Sequence, residues 1–350
     1  MSTTPAFLRY PRRVLIDESG HMWIADTGHH RIVIADRHGA VRLVVGTGAP
    51  GSRDGAQGEA SFDAPEGLAV TRAATRLYVA DAGAHAIRRI DVDLAAGTAL
   101  VTTVAGTGAP GHALPPGTHP ARTTALAGPC ALAVDEEHDV LYVAMAGARQ
   151  IWRVDLAAGA IESCAGRAGP EATDGTTDDR DGATDDRDGD AGPAHQAWLG
   201  EPRGLTLSPD RTRLYIADAG ASAVRILHLI PGQATIETLV GAPHGTHGEA
   251  GDSDGSRRQA RLRGCMDVTL SPAGLVIADT GNHALRGVNL RHGTVMTLWR
   301  GAGARALAGP GSVACDRPGR SYVVADTEHH RLVRVAADAS SAFEVVLVPG

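Results

Sequence analysis

Short apolar runs alternate with polar, glycine-containing turns along the whole chain. In the unit that begins at Pro65, apolar runs cover residues 65–70, 77–81, 86–92 and 100–105. Runs of this length, rich in Val, Ile and Leu and bounded by Gly, Asp and Ser, are typical of β-strands. The pattern therefore predicts sheets of four short antiparallel strands that are joined by tight turns.

One ten-residue phrase recurs six times at corresponding points of these units. The copies are IADTGHHRIV from Ile24, VADAGAHAIR from Val79, VAMAGARQIW from Val143, IADAGASAVR from Ile216, IADTGNHALR from Ile277 and VADTEHHRLV from Val324. The phrases carry an Asp column, with Met in the third copy, at Asp26, Asp81, Met145, Asp218, Asp279 and Asp326. The intervals along this column are 55, 64, 73, 61 and 47 residues, close to the repeat length of β-propellers.

An all-β fold, a six-bladed β-propeller of four-stranded antiparallel blades, is what this arrangement predicts. It would fill residues 1–350 as a single domain. The predicted blades cover approximately residues 7–46, 62–106, 125–166, 198–241, 261–300 and 307–350. Because the apolar runs 11–17 and 343–348 complete the first and last blades, ring closure is expected without strand exchange.

Several segments carry a resemblance to a known family. The phrase ADTGNH at residues 278–283 resembles the NHL repeat. VAGTG at 104–108, YVAMAGARQIW at 142–152, and GDSDG with ARL within 251–262 are similar to the propeller of NHL-repeat proteins that carry a fused thioredoxin-like domain. The 350 residues show neither that domain nor its paired cysteines. The resemblance thus implies an NHL-type propeller and, as one option, a separate thioredoxin-like partner.

Composition excludes several classes of function. All 33 basic residues are Arg, which rules out a Schiff-base lysine and a P-loop lysine. The net charge of -7 gives no electrostatic footprint for nucleic acid. Neither a signal peptide nor a membrane span is predicted, because no long apolar stretch is present, so we expect a cytoplasmic protein. The exclusive use of Arg and the many Ala residues suggest a bacterial genome rich in G and C.

Two glycine motifs and one acidic tract look like ligand sites but fit turns better. Residues 46–51 and 106–111 both match GxGxxG, yet no helix pattern follows either one, so no helix N-terminus is available for a pyrophosphate. The tract 171–194 contains TDDRDG at 177–182 and at 184–189. Its Asp oxygens suit calcium, but the spacing is not that of an EF-hand. A flexible acidic insertion is the preferred interpretation.

The residue between Pro and Gly at the start of each innermost strand is, by the NHL resemblance, near the mouth of the central channel. This mouth column contains Arg12, Glu66, Cys130, Arg203, Met266 and Gly311. Arg12 and Arg203 come from opposite blades, so they are expected to clamp a carboxylate or phosphate. Glu66 would act as acid or base, and Cys130 as a nucleophile or a packing residue. Alternatively, Glu66 pairs with one Arg and blocks the channel.

A second set of residues, the turn column, follows the Gly turn of each phrase. It contains His30, His85, Arg149, Ser222, His283 and His330. Either His283 assists catalysis while the other His residues and Arg149 bind substrate, or these side chains bond to neighbouring backbone. Asp267 stands at the Gly position of the fifth blade and is a candidate second acid. Met266 and Trp198 would line the substrate.

No metal or other cofactor is predicted. None of the mouth-column residues is His, so the zinc ligands of the peptidylglycine α-amidating lyases, which share this architecture, cannot be carried over. Zinc held by Glu66, Cys130 and a turn-column His is the minority alternative, beside calcium. The cysteines lie far apart without a CxxC pair, at Cys130, Cys164, Cys265 and Cys315, and they are expected to be reduced.

Two classes of function are compatible with these features. The first is an enzyme, a lyase, isomerase or cyclase, acting on a small anionic metabolite that Arg12 and Arg203 hold beside Glu66. The alternative is a non-catalytic scaffold that binds a protein partner on one face of the propeller. The partner of the first is a small molecule, and neither class involves nucleic acid or a membrane.

Overall fold

The computed structural model describes residues 7–167, 192–241, 250–316 and 319–349. These residues form six sheets, each with four antiparallel strands that pair in the order of the chain. The innermost strand of each sheet contacts that of the next, and the innermost strand of the sixth sheet contacts that of the first. This closed ring of sheets confirms the six-bladed β-propeller predicted from the repeats.

The first three blades follow the predicted strand order. Blade 1 contains β1 (Arg13–Ile16), β2 (Met22–Asp26), β3 (Arg31–Ala35) and β4 (Ala40–Val45). Blade 2 contains β5 (Gly55–Ala56), β6 (Pro65–Val70), β7 (Arg76–Asp81), β8 (Ala86–Asp93) and β9 (Thr98–Ala105). Blade 3 contains β10 (His119–Pro120), β11 (Pro129–Asp135), β12 (Val140–Met145), β13 (Gln150–Asp155) and β14 (Ala160–Ala165).

The last three blades repeat the same plan. Blade 4 contains β15 (Gly192–Pro193), β16 (Pro202–Leu207), β17 (Arg213–Asp218), β18 (Ala223–His228) and β19 (Thr235–Val240). Blade 5 contains β20 (Gly255–Ser256), β21 (Asp267–Ser271), β22 (Gly274–Asp279), β23 (Ala284–Asn289) and β24 (Thr294–Trp299). Blade 6 contains β25 (Pro310–Cys315), β26 (Ser321–Asp326), β27 (Arg331–Ala336) and β28 (Ala342–Val345), and β29 (Val348–Pro349) follows it. Short 3-10 helices cover Thr27–His29, Ala121–Thr123, Ala194–Gln196, Thr280–Asn282, Gly303–Arg305 and Thr327–His329.

The hydrophobic core consists of apolar layers between neighbouring blades. Trp23 of blade 1 packs with Phe62 and Leu77 of blade 2, and Trp152 of blade 3 packs with Ile87 of blade 2. Four further clusters join the remaining neighbours, including the pair formed by blades 6 and 1. Because side chains alternate between the two faces of each strand, every blade contributes to two layers.

Ring closure differs from the expectation of complete blades without strand exchange. β29, at the end of the described chain, pairs in parallel with β4, the outermost strand of blade 1, through Val348↔Ala40 and Pro349↔Val41. The fourth strand of blade 6 therefore ends at Val345, and the chain then crosses to blade 1. Backbone hydrogen bonds between the two ends of the chain thus complement the apolar layer that joins these blades.

Two-residue strands on the outer edges of blades 2 to 5 were not predicted. Each lies in the connection that precedes its blade and pairs with the blade's outermost strand, as β5 does with β9 through Gly55↔Val101. A pair of residues is too short to show a period of two, which is why the sequence pattern did not reveal them. Of the predicted insertion 171–194, residues 171–191 lie outside the described residues.

The glycine motifs at 46–51 and 106–111 are turns between blades. Gly46 and Gly106 have φ values of +114° and +99°, a region that favours glycine. Strand β5 or a loop follows them, and no α-helix does. None of the helices in the described part of the chain is long and apolar enough to cross a membrane.

Candidate functional site

The mouth column converges at one end of the propeller axis. Its residues line a single axial depression together with Arg13: Arg12, Arg13, Glu66, Cys130, Arg203, Met266 and Gly311. The innermost strands approach closely here, since a Cβ placed on Gly67 would lie 2.8 Å from the backbone of Cys130 and Ala131. A glycine after the mouth residue is thus required at this point of blade 2, and it sets the spacing of the ring.

Arg203 and Glu66 meet across this depression. Nη1 of Arg203 lies 3.4 Å from Oε2 of Glu66, and its Nε donates to Oε1 of Glu201 at 3.0 Å. The Arg203 guanidinium is therefore held between two carboxylates. The sequence analysis considered this arrangement as an alternative to an anion clamp: Glu66 pairs with one Arg at the channel. The contact between Glu66 and Arg203 is long for a hydrogen bond.

A buried ion pair between Arg13 and Asp267 lies beside the depression. The exposed fractions of these two residues are 6% and 2%, and Nη1 of Arg13 donates to Oδ1 of Asp267. Nη2 of Arg13 also donates to the carbonyl of Arg203 at 3.2 Å, and Oδ2 of Asp267 accepts the Val313 amide at 3.1 Å. These bonds join blades 1, 4, 5 and 6, so we call the pair the axial lock.

The axial lock changes the interpretation of Asp267. Both of its oxygens are occupied, and its side chain is not among those that line the depression. This position favours a structural role over that of a second acid. Arg13 was missed from the sequence, although a charged residue at the Gly position of blade 5 was a signal that a buried partner was needed.

Arg12 stands apart from the other guanidinium groups of the depression. Within the residues that the structure describes, it has no carboxylate within ion-pair distance, whereas Arg13 and Arg203 both have one. Arg12 is also partly exposed. Arg12 is thus the one guanidinium of the depression without a carboxylate partner among the described residues, although the carboxylates of Glu66, Glu201 and Asp267 equal the three guanidinium groups in number.

The axial depression is small. The space between its lining residues is about 10 Å³, which is room for about one water molecule. Enclosed small-molecule sites are far larger, commonly several hundred Å³. The depression therefore fits a single charged group that projects into it and does not enclose a whole metabolite.

Cys130 lies in a setting that suppresses its reactivity. Its thiol donates to the carbonyls of Pro202 at 3.1 Å and Ala144 at 3.4 Å, which joins blade 3 to blade 4. Burial raises the pKa of this thiol to about 12, so the thiol is protonated at neutral pH. Since the thiolate is the nucleophile, the geometry favours the packing role that the sequence left open.

We expect alkylation of native Cys130 to be about a thousandfold slower than alkylation of the unfolded chain. A rise in the pKa of the thiol from 9.0 to about 12 lowers the thiolate fraction by that factor at neutral pH. Mass spectrometry of the peptide that contains Cys130, after timed iodoacetamide labelling with and without urea, measures the ratio. Equal rates in the two states would contradict the packing role.

In blades 1, 4, 5 and 6, the turn-column residue bonds to the backbone of the next blade. All six residues of the turn column have φ between 48° and 58°. Nδ1 of His30, His283 and His330 accepts the backbone N–H of Ala64, Gly309 and Tyr10 at 3.0 to 3.1 Å. Ser222 accepts the Gly264 N–H in the same way at 3.1 Å. These interblade bonds match the backbone-bonding alternative, and none of the six residues lines the depression.

Blades 2 and 3 depart from this pattern. Nδ1 of His85 is buried and has no hydrogen-bond partner among the described residues. Arg149 cannot accept a bond and instead places its guanidinium over the ring of Trp198, 5.5 Å from the centroid. Trp198 is 40% exposed and belongs to the loop before blade 4. It does not line the axial depression.

The Asp column has a structural position. Asp26 accepts the Arg9 amide at 2.7 Å, and the four other members of the column accept amides from the same point of their own blades. These five carboxylates are fully buried. Each of these carboxylates therefore holds the segment before its blade's innermost strand against the end of the second strand, where the Asp lies.

The described residues contain no cluster of three His, Cys, Asp or Glu side chains that could hold a metal ion. Glu66, Cys130 and a turn-column His, the mixed zinc set considered from the sequence, do not come together. The TDDRDG tract considered for calcium lies outside the described residues.

Comparison with known proteins agrees with this architecture. The sequence profile described as the Teneurin NHL domain matches residues 1–227. NHL repeat-containing protein 2 of Gallus gallus is 30% identical over 354 aligned positions, which cover 95% of this chain and 47% of the relative. The chain thus spans about half the length of this curated relative.

Solved structures with low sequence identity share the fold. A gluconolactonase from Xanthomonas campestris has a TM-score of 0.53 at 13% identity, covering 91% of this chain and 84% of its own. A nidogen/laminin complex has a TM-score of 0.56 at 14% identity, covering 92% of both chains. The repeats, the closed ring of blades and the profile match lead to one conclusion: the chain belongs to the NHL-repeat family of β-propellers, to which the Teneurin NHL domain also belongs.

Proposed function

We propose that this propeller is a binding module whose axial depression takes up one anionic group, a carboxylate or phosphate. The observation that carries the proposal is the Arg12 guanidinium, which has no carboxylate partner among the described residues and lies beside Arg13 and Arg203. Guanidinium groups bind carboxylates and phosphates through paired N–H donors. The shallow space suits a group presented by a larger ligand, such as an acidic side chain or the carboxyl end of a protein partner.

Catalysis by a lyase, isomerase or cyclase is the second candidate. Glu66 lines the depression, and its only ion pair among the described residues is the long contact with Arg203, so this carboxylate is the best-placed acid or base. The other predicted catalytic groups favour binding over chemistry, because Cys130 is protonated, Asp267 is locked to Arg13 and His283 bonds to Gly309. The gluconolactonase shares the fold alone and gives no support to either candidate.

The partner and the compartment are parts of the same proposal. A thioredoxin-like protein is the partner that the sequence resemblance suggests. A small anionic metabolite would have to sit on the mouth and not within it. All four cysteines are free, which favours a reducing compartment such as the cytoplasm.

We expect Arg12→Ala to weaken the binding of anions by about 10- to 100-fold. A hydrogen bond to a charged group contributes about 1.5–3 kcal/mol. Isothermal titration with phosphate, glutarate and a short peptide that ends in Asp measures the loss. Arg37→Ala is the matched control, because Arg37 is an exposed residue on the same blade.

The two candidates give different results in these titrations. Saturable binding that Arg12→Ala removes, with no consumption of ligand, supports the binding module. Turnover of a small anion that Glu66→Gln abolishes would establish the enzyme instead. If neither anions nor acidic peptides bind the native protein, both candidates fail.

A further inference from the structure

Blade 6 differs from the others at its outer edge. In blades 2 to 5, the preceding connection places a two-residue strand beside the outermost strand, and β29 does so in blade 1. The connection before blade 6 forms the 3-10 helix Gly303–Arg305 and no strand. In the described part of the chain, β28 is thus the one outermost strand without a neighbour on its outer side.

The register shows which backbone groups of β28 are open. Ala336 donates its N–H to Ser341 at 2.9 Å, and Ala342 and Glu344 are paired with Val335 and Val333. Hydrogen-bonded and non-hydrogen-bonded pairs alternate in antiparallel strands. The N–H and C=O groups of Ala342 and Glu344 therefore point away from blade 6.

The other blades show which kind of segment pairs with the outer side of an outermost strand. Ala342, which pairs with Val335, corresponds to Val295 of blade 5. Val295 pairs with Val288 on its inner side and with Gly255 of β20 on its outer side. The same position is covered by an extended antiparallel segment in each of blades 2 to 5. An extended backbone is therefore the kind of occupant that fits β28.

Two large apolar side chains are exposed on β28 or directly after it. Phe343 is 58% exposed and Val346 is 65% exposed, the two highest values among the large exposed apolar residues of the described chain. Soluble proteins protect open strand edges, and exposed apolar groups beside one mark a binding surface. The two features coincide on blade 6.

The charge of Glu344 distinguishes between occupants. Among the described residues, Glu344 forms one ion pair, with Nη1 of Arg331 at 3.7 Å, and Arg331 bonds more closely to Asp326 at 2.7 Å. If β28 paired antiparallel with β28 of a second copy so that Glu344 faced Glu344 or Ala342 of that copy, the two Glu344 carboxylates would lie opposite each other or on the diagonal. Like charges in such positions are destabilising. A different chain with a basic residue opposite Glu344 avoids this repulsion.

We propose that β28 is a docking edge for an extended segment of a different protein, added antiparallel, with a basic side chain opposite Glu344 and an apolar side chain against Phe343. Main-chain bonds to Ala342 and Glu344 would provide affinity, and the two side chains would provide specificity. This surface lies on the rim of the propeller. It is independent of the anion site proposed at the axis.

The test uses a synthetic peptide, acetyl-Thr-Val-Thr-Arg-Thr-Val-Thr-amide, and its counterpart with Glu in place of Arg. At saturating peptide, we expect hydrogen exchange of the Glu344 amide to slow by about tenfold or more, since an amide that gains a strand partner becomes protected. The Arg peptide should bind about three- to tenfold more tightly than the Glu peptide. Residue-level exchange measured by NMR gives both quantities.

A charge swap keeps the test independent of folding. Glu344→Arg should reverse the preference, so that the Glu peptide binds more tightly. Glu237→Arg is the matched control, since Glu237 lies on β19, whose outer side is already paired with β15, and it should leave the preference unchanged. The proposal is overturned if neither peptide slows exchange at millimolar concentration, if Glu344→Arg leaves the preference as it was, or if sedimentation shows dimers that Glu344→Arg alters.

Discussion

Replacing Arg13 with Met is expected to lower the free energy of unfolding by about 3–5 kcal/mol. The side chain of Arg13 is buried against Asp267, and removal of one member of a buried ion pair leaves an uncompensated charge of about that cost. The carbonyl of Arg203 would also lose its donor. Urea denaturation followed by circular dichroism measures the change, provided that the m-value stays constant.

A double-variant cycle separates the axial lock from a general loss of packing. Arg13→Met combined with Asp267→Leu removes both charges, and we expect part of the lost stability to return, since only the Val313 amide and the Arg203 carbonyl then lack these partners. Arg37→Met, on the exposed surface of blade 1, should change stability by less than about 0.5 kcal/mol. If Arg13→Met costs no more than Arg37→Met, the axial lock does not hold the blades together.

Replacing Arg286 with Met should destabilise the protein by a similar amount, about 3–5 kcal/mol. Its guanidinium has no exposed surface and lies 3.2 Å from the fully buried Asp279. It also contacts Asp252 at 3.1 Å and Asp254 at 2.7 Å. One side chain thus fixes the connection before blade 5 to the blade itself.

Arg291→Met is the control for this prediction. Arg291 is exposed in the turn that follows the strand of Arg286, so its removal should cost less than about 0.5 kcal/mol. Thermal and urea unfolding of the two variants and the native protein provide the comparison. Equal stabilities would show that the carboxylates around Arg286 contribute little to holding the connection.

The fold was predictable from the sequence because each blade repeats the same local requirements. A buried Asp and a residue with positive φ enclose a short turn at the end of β2, and the residue with positive φ returns in every blade. Five copies kept the Asp, and the third, with Met145, was still recognised by its surroundings. The strand pairing of β29 with β4 depends on two residues of each strand, and so short a segment carries no such pattern.

The candidate site was predictable only in part. Repeat alignment assembled the mouth column, and the resemblance to NHL propellers placed it near the mouth of the central channel. The partners within it were not predictable: Arg13 and Asp267 are 254 residues apart, and no local spacing connects them. Whether a long side chain such as that of Glu66 pairs with Arg12 or Arg203 depends on rotamers and not on the repeat.

Trp198 shows a second limit of reasoning from a repeat. Its place near Arg203 in the sequence suggested a wall of the ligand site. The structure instead places it against Arg149, in the contact between blades 3 and 4. Arg149 replaces a hydrogen-bond acceptor in the turn column, and this departure from the repeat was the signal that another kind of contact was needed there.

The Nε–Hε NMR signals of the arginines during a phosphate titration test the central claim, an anion site at the axial mouth, most directly. Sodium chloride at matched ionic strength provides the reference, and single Arg variants assign the signals. We expect saturable shifts of the Arg12 and Arg203 signals, with the Arg37 and Arg291 signals unchanged. Shifts that are uniform over all arginines, or none beyond those caused by chloride, would contradict it.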